Sequence, residues 1–193
     1  KWYAEYTGIN VVTGAGAGYQ GVGICDINTY PETAGYYVGN TRDSYGYLNL
    51  GYQYNNGSGI PGAGATWTNG DVLGVAVNLD DGILTFYKNG VAQGTPYTTL
   101  ESSRDYCFAV SEGYTLDSDM EFNGGQLPFA YPIPTGFKTL STKNLPDATV
   151  VPSENFDVGL WTGNGSASGP SVTNLNFKPE LLWSKSRSTV ANN

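Results

Sequence analysis

The sequence predicts an all-β protein: an antiparallel β-sandwich followed by a linker and part of a second β unit. Three observations carry that expectation. Hydrophobicity alternates with period two wherever it is periodic, and no segment keeps helical spacing for more than about two turns. Glycine (27) and tyrosine (15) are abundant while charged residues reach only 13%, a composition of short strands and tight turns rather than of a charge-driven disordered tail. Clusters of Gly, Asn, Ser and Pro punctuate the apolar runs at short intervals.

Taken in order, strands are expected over 2–6, 21–26, 36–38 and 45–49. The most sharply patterned stretch comes next. Val72-Leu73-Gly74-Val75-Ala76-Val77-Asn78-Leu79 and Ile83-Leu84-Thr85-Phe86-Tyr87 flank Asp80-Asp81-Gly82, and Lys88-Asn89-Gly90 leads into a third strand near 91–94. Asp-Gly and Asn-Gly are strong hairpin signals because both residues tolerate positive φ. Strands at 106–111 and 119–123 complete the first unit.

Composition places the boundary. Residues 1–137 hold four basic and thirteen acidic side chains, residues 138–193 five and four, and every tyrosine lies at or before Tyr131. The reading is a sandwich over 1–137, a linker over 138–152 that contains Ser141-Thr142-Lys143-Asn144-Leu145-Pro146-Asp147, and an incomplete second β domain over 153–193. In the last segment the apolar runs around Phe156–Trp161 and Leu181-Leu182-Trp183 flank a Gly/Ser-rich loop. About 40 residues seldom close a core alone, so this segment is expected to borrow one.

Several functions are disfavoured at once. A formal net charge of -8 repels a phosphate backbone, so no nucleic-acid partner is expected. No apolar run approaches the roughly 18 residues that span a bilayer, so no membrane role is expected, and Lys1-Trp2-Tyr3 reads straight into a strand rather than a signal peptide. With no histidine, the commonest general base and metal ligand is missing; no metal or cofactor is expected. Cys25 and Cys107 each sit in an apolar strand and read as small buried hydrophobes; spacing leaves open whether they are bridged.

The motifs carry a family resemblance. Lys1-Trp2-Tyr3-Ala4-Glu5, Gly21-Val22-Gly23-Ile24, Ser44-Tyr45-Gly46-Tyr47, Trp67-Thr68-Asn69-Gly70-Asp71-Val72-Leu73-Gly74-Val75, Leu79 through Val91 and Phe108-Ala109-Val110-Ser111 occur in an order that resembles a SPRY domain over about residues 1–130. The resemblance implies a bent two-sheet sandwich, no catalytic activity, and protein interaction through loops at one end; the matching residues Trp67, Asp71, Gly74, Asn89 and Gly90 are then architectural. The exit, Leu127-Pro128-Phe129-Ala130-Tyr131 and Pro134-Thr135-Gly136-Phe137-Lys138-Thr139-Leu140, with Leu160 to Gly165 and Phe177 to Trp183, is similar to bacteriophage virion proteins. That similarity implies a fragment of a tail, fibre or capsid-surface protein, assembled in the bacterial cytoplasm, homo-oligomeric and in contact with other virion subunits.

The remaining motifs divide between bland and sharp readings. Gly16-Ala17-Gly18-Tyr19-Gln20-Gly21 spells G-x-G-x-x-G but leads into a strand, whereas a dinucleotide site needs a helix there. Asp117, Asp119 and Glu121 alternate, so they share one side of a strand; they read as a solvated face, the sharper alternatives being a carboxylate pair for glycoside hydrolysis or ligands for Ca²⁺. Asp80-Asp81 suits turn chemistry, and Asp71 is expected to accept turn N–H groups at a strand entry. Asn56-Gly57-Ser58 and Asn164-Gly165-Ser166 have the form of glycosylation sequons and read as loops.

The tyrosine cluster is the candidate site. Tyr30, Tyr36, Tyr37, Tyr45, Tyr47, Tyr52 and Tyr54 are interleaved with Asn40, Arg42, Asp43, Asn49, Gln53, Asn55 and Asn56. Tyr offers contact area with few torsions, and Asn, Ser and Gly offer adaptable hydrogen bonding; aromatic faces beside amides also suit sugar rings. The loops around 28–43 and 52–65, with Tyr30, Tyr36, Tyr37, Asn40, Arg42, Tyr52, Tyr54 and Asn55, are read as a recognition surface for a host-surface glycan or protein. Packing within the sandwich (Tyr45, Tyr47) or contact with other virion subunits competes with it.

Overall fold

The computed structural model describes residues 1–12, 20–29, 36–112, 118–144, 150–168, 171, 173 and 175–187. Among them the chain forms strands β1 (Trp2–Asn10), β2 (Gly21–Asp26), β3 (Ser44–Leu48), β4 (Gln53–Asn55), β5 (Ser58–Ile60), β6 (Val72–Asn78), β7 (Ile83–Lys88), β8 (Val91–Tyr97), β9 (Tyr106–Ser111) and β10 (Asp119–Asn123). Two five-stranded antiparallel sheets result: sheet A in the order β10-β1-β6-β7-β8 and sheet B in the order β5-β4-β3-β2-β9.

Period-two patterning puts one face of each sheet into a shared core. Sheet A contributes Tyr6, Leu73, Val75, Val77, Leu84 and Phe86; sheet B contributes Val22, Ile24, Tyr45 and Tyr47, and Trp67 packs among them. The β7–β8 turn places Asn89 and Gly90 at φ 48 and 77, the left-handed pair that a two-residue hairpin of native twist requires.

Expectation and structure part company in three places. Residues 36–38 pair with no strand and instead lead into a turn closed by Asn40 N–H donating to the Tyr37 carbonyl, 2.9 Å. The stretch read as a loop over 52–65 contains the β4–β5 hairpin, closed by Asn56 and Gly57 at φ 54 and 69; its strands are too short to alternate visibly, but the Asn-Gly signal was present. Residues 138–144, read as linker, are tied down. Lys138 N–H donates to the Lys1 carbonyl at 3.0 Å, the Lys138 carbonyl accepts from Tyr3 N–H at 2.9 Å, and Leu140 N–H donates to the Gly124 carbonyl at 2.8 Å.

The chain divides into two compact units, Lys1–Leu145 and Pro146–Asn193. The first is the sandwich. Among the described residues of the second there is a 3₁₀ turn, Pro152–Glu154, and no strand. Phe156, Val158, Leu160, Leu181, Leu182 and Trp183 are all exposed there.

The outer faces of the sheets, which alternation alone would give to solvent, are each covered in part by the chain. On sheet B, Ala109, Gly23, Gly46, Tyr54 and Gly59 sit opposite one another across all five strands. Gly23 and Gly46 of this row make a trough that residues 36–41 cross, with Val38 packed against both. Val38 is buried in it, and a methyl group at Gly46 would collide with the Val38 carbonyl. On sheet A, Phe129 packs edge-on against Tyr3, and the Ala130 and Tyr131 N–H groups donate to Glu5.

Candidate functional site

The turn of the β4–β5 hairpin gathers most of the candidate residues at one end of sheet B. Gly57 N–H donates to the Gly39 carbonyl at 3.0 Å and Asn56 N–H to the Thr41 carbonyl at 3.0 Å, so the strap 36–41 docks on the hairpin. Ser44 Oγ anchors the strap from beneath, accepting from Gly39 N–H at 3.0 Å and Thr41 N–H at 3.1 Å. A single hydroxyl thereby satisfies two buried backbone donors that no strand pairs.

The aromatic side chains stack along this strap. Tyr37 meets Tyr54 edge-on with centroids 5.4 Å apart, and Tyr52 lies tilted to Tyr54 at 5.9 Å. The Tyr54 ring also lies over Gly59 of the edge strand, where a side chain would strike it; an aromatic that covers a cross-strand glycine stabilises the pair. Tyr36 is 46% exposed beside them. Asn55 turns inward, its Nδ2 donating to the Arg42 carbonyl at 2.7 Å and the Ser44 carbonyl at 2.9 Å, so it shapes the loop rather than presenting an amide. Arg42 points outward and reaches Glu101 at 3.5 Å. Tyr45 and Tyr47 belong to the core. Tyr30 lies outside the described residues.

Next to this patch lies a charged hub. Arg104, in the β8–β9 loop, contacts Asp26 at 3.0 Å, Asp43 at 3.0 Å and Glu101 at 2.9 Å. Asp26 is fixed further by Asn28 N–H at 2.9 Å. That backbone hydrogen bond, then Arg104, holds its carboxyl below the ordinary 3.8 against the opposing effect of burial. The three carboxylates raise the guanidinium in turn, Asp26 most. One arginine therefore ties the start of the β2–β3 loop, its end and the β8–β9 loop together. With Asp105 as well, which accepts from Asn28 Nδ2 at 3.1 Å, this end of the sandwich keeps an excess of negative charge.

The motif residues serve the scaffold at the opposite end. Asp71 accepts from Thr68 N–H at 2.8 Å and Asn89 Nδ2 at 2.7 Å and pairs with Lys88 at 3.1 Å. Burial opposes its ionisation, yet these donors keep it below the usual carboxylate range. Asn89 Oδ1 accepts from Val72 N–H at 2.9 Å, and Gly74 leaves room for the Tyr3 ring. Trp67 is buried in the core, and Gly90 abuts the ring of Tyr131. Of the alternating acids, Asp119 and Glu121 are exposed on edge strand β10, and Asp117 lies outside the described residues, as do Gly16 and Gly18 of the glycine motif. No group of three or more Cys, Asp and Glu able to hold a metal occurs among the described residues.

Sequence reasoning missed Ser44, Glu5 and Arg104. Arg104 had a signal, being one of four basic residues in a strongly acidic unit. Ser44 and Glu5 had none, since each sits on the strand face that alternation assigns to water.

The SPRY domain sequence profile matches residues 6–125. The chain belongs to the SPRY family. Its relatives include ATP-dependent RNA helicase DDX1 of Xenopus laevis, 26% identical over 83% of this chain and 20% of that protein. Ran-binding protein 9 of Xenopus tropicalis is 29% identical over 72% of the chain and 24% of that protein; E3 ubiquitin-protein ligase RKP of Arabidopsis thaliana is 30% identical over 53% and 8%. The chain thus spans a quarter or less of the length of each. Among solved structures a human SPRY domain aligns with a TM-score of 0.47 at 19% identity, covering 63% of this chain and 74% of that one. SPRY domains are protein-interaction modules without catalytic activity of their own.

Proposed function

We propose that this chain is a non-catalytic binding module that recognises its partner through the strap 36–41 and the β4–β5 hairpin. The observation that carries the reading is the combination at that end: a segment outside both sheets, seated in a glycine trough, holds Tyr36 and Arg42 outward over a packed tyrosine base. Loops on a rigid scaffold are where recognition residues concentrate. Tyr37, Tyr52 and Tyr54 are half-buried and act as the platform; the exposed Tyr36 and Arg42 act as the contact.

The setting proposed for this module is a bacteriophage virion, as a tail, fibre or capsid-surface protein that meets a host glycan or protein while contacting further copies and other virion subunits. Support for the setting is the similarity of the exit at 127–146 and of the runs at 160–165 and 177–183 to virion proteins; the curated relatives reported above come from two frogs and a plant. An architectural role, with the loops touching only virion subunits, is the second reading, and the packing of Tyr37 and Tyr54 favours it. The double variant Tyr36→Ala/Arg42→Ala separates the two. Loss of chain binding to host cell surface, with unchanged melting, supports recognition. Unchanged surface binding with weakened self-association supports architecture, and reducing sugar released from host capsule would overturn both.

A further inference from the structure

We propose that Cys25 and Cys107 form a reversible cross-strand disulfide, a redox-controlled staple at the root of the loops that carry the candidate surface. The two residues are direct partners in the β2–β9 ladder. Both are free thiols with Sγ atoms 3.4 Å apart, although 82 residues separate them in sequence. Ile27 N–H donates to the Asp105 carbonyl at 3.0 Å. Hydrogen-bonded pairs alternate along an antiparallel ladder, so Cys25 and Cys107, two residues away, form another such pair with Cα atoms about 5.5 Å apart. That separation lies inside the disulfide range, and rotation about the side-chain torsions closes the sulfurs to about 2.05 Å.

The environments of the two sulfurs set the order of events. Cys25 is buried, and burial followed by its neighbour Cys107 pushes its thiol up to about 12. Cys107 is half-buried on the outermost strand of sheet B and reacts first. Its thiolate attacks one sulfur of a small disulfide such as oxidised glutathione, forming a mixed disulfide and expelling one small thiolate. Cys25 then gives its proton to solvent and attacks Cys107 Sγ, expelling the second. Two S–H bonds are lost and one S–S bond forms; the two electrons reduce the small disulfide to two thiols. The staple would act directly beneath the hub, because Asp26, which holds Arg104, follows Cys25 and faces Tyr106. Its bearing on recognition rests on the function proposed above, whereas the bond itself does not.

The test is to incubate the purified chain with oxidised glutathione and read it without any ligand. The expected product is a monomer that has lost two hydrogens, with no titratable thiol after denaturation and full reversal by dithiothreitol. Its melting temperature should rise by roughly 5–15 °C, since a bridge closing a long loop restricts the unfolded chain, and Ile27 N–H should exchange more slowly. Cys25→Ser should stop at one glutathione on Cys107 with no rise in melting temperature. A wild-type product carrying two stable glutathiones, disulfide-linked dimers alone, or two unreacted thiols would each overturn the proposal.

Discussion

The outer faces of sheet A and sheet B are both roofed by the chain itself, but by different chemistry. On sheet A the roof is residues 127–138, and its anchor is a buried carboxylate. Glu5, 2% exposed, accepts from Ala130 N–H at 2.8 Å, Tyr131 N–H at 3.2 Å and Tyr3 Oη at 3.1 Å. On sheet B the roof is residues 36–41, anchored by the neutral Ser44 hydroxyl over a glycine trough. Charge-assisted hydrogen bonds are about twice as strong as neutral ones, and a buried carboxylate without its donors is costly. Sheet A's strap is therefore fastened through a charged group, while sheet B's strap is held by shape, a hydroxyl and two backbone hydrogen bonds from the β4–β5 hairpin, with Tyr36 exposed on it.

Substitutions at five positions break or sharpen this contrast. The largest effect is expected for Gly46→Leu, which must lift the strap because its Cβ meets the Val38 backbone; overpacking against main chain that cannot yield should cost about 4 kcal/mol in urea unfolding. Glu5→Ala comes next. Stranding the Ala130 and Tyr131 amides should cost about 2–3 kcal/mol, with fluorescence of the Phe129–Tyr131 region reporting release, and Glu5→Gln should recover part of it. A loss below about 0.5 kcal/mol would show that sheet A's roof does not depend on its carboxylate.

Arg104→Met is expected to be smaller at neutral pH and to be distinguished by pH. The Asp26 carboxyl is depressed below its ordinary 3.8. Its contribution is thus fully present above about pH 4 and lost as pH falls through the folded value. Arg104→Met should flatten that acid-side loss of stability; an unaltered acid slope would mean that the hub does not couple the loops. The smallest stability effect belongs to Tyr36→Ala, which should shift unfolding by no more than about 0.5 kcal/mol. Tyr54→Ala, by contrast, loses ring contacts with Tyr37 and Tyr52 and uncovers Gly59, at about 1–1.5 kcal/mol. Equal losses for Tyr36 and Tyr54 would contradict the division into contact and platform.

Parts of the candidate site were legible in residue type alone. The density of tyrosine and amide residues over 30–56 singled out the region, and the Asn-Gly pair at 56–57 marks a hairpin. Which tyrosines face outward was not legible. Tyr52 and Tyr54 share a strand face by alternation, but that face is solvent-facing only if nothing crosses it, and residues 36–41 do. Asn55 looked like a recognition amide, yet its partners are the Arg42 and Ser44 carbonyls. Arg104 gathers acids from positions 26, 43 and 101, a convergence that no local window contains.

By itself the sequence determined eight of the ten described strands of the sandwich, their inward faces and the turns that join β6, β7 and β8, because alternation and positive-φ preferences are local properties of neighbouring residues. It also set the acidic, charge-poor character of the sandwich. Only the tertiary structure decided what covers the outer faces, that Glu5 and Ser44 are anchors rather than surface residues, and that Cys25 faces Cys107. Those outcomes depend on where segments distant in sequence cross a sheet, and side-chain alternation carries no information about what lies above the face it exposes.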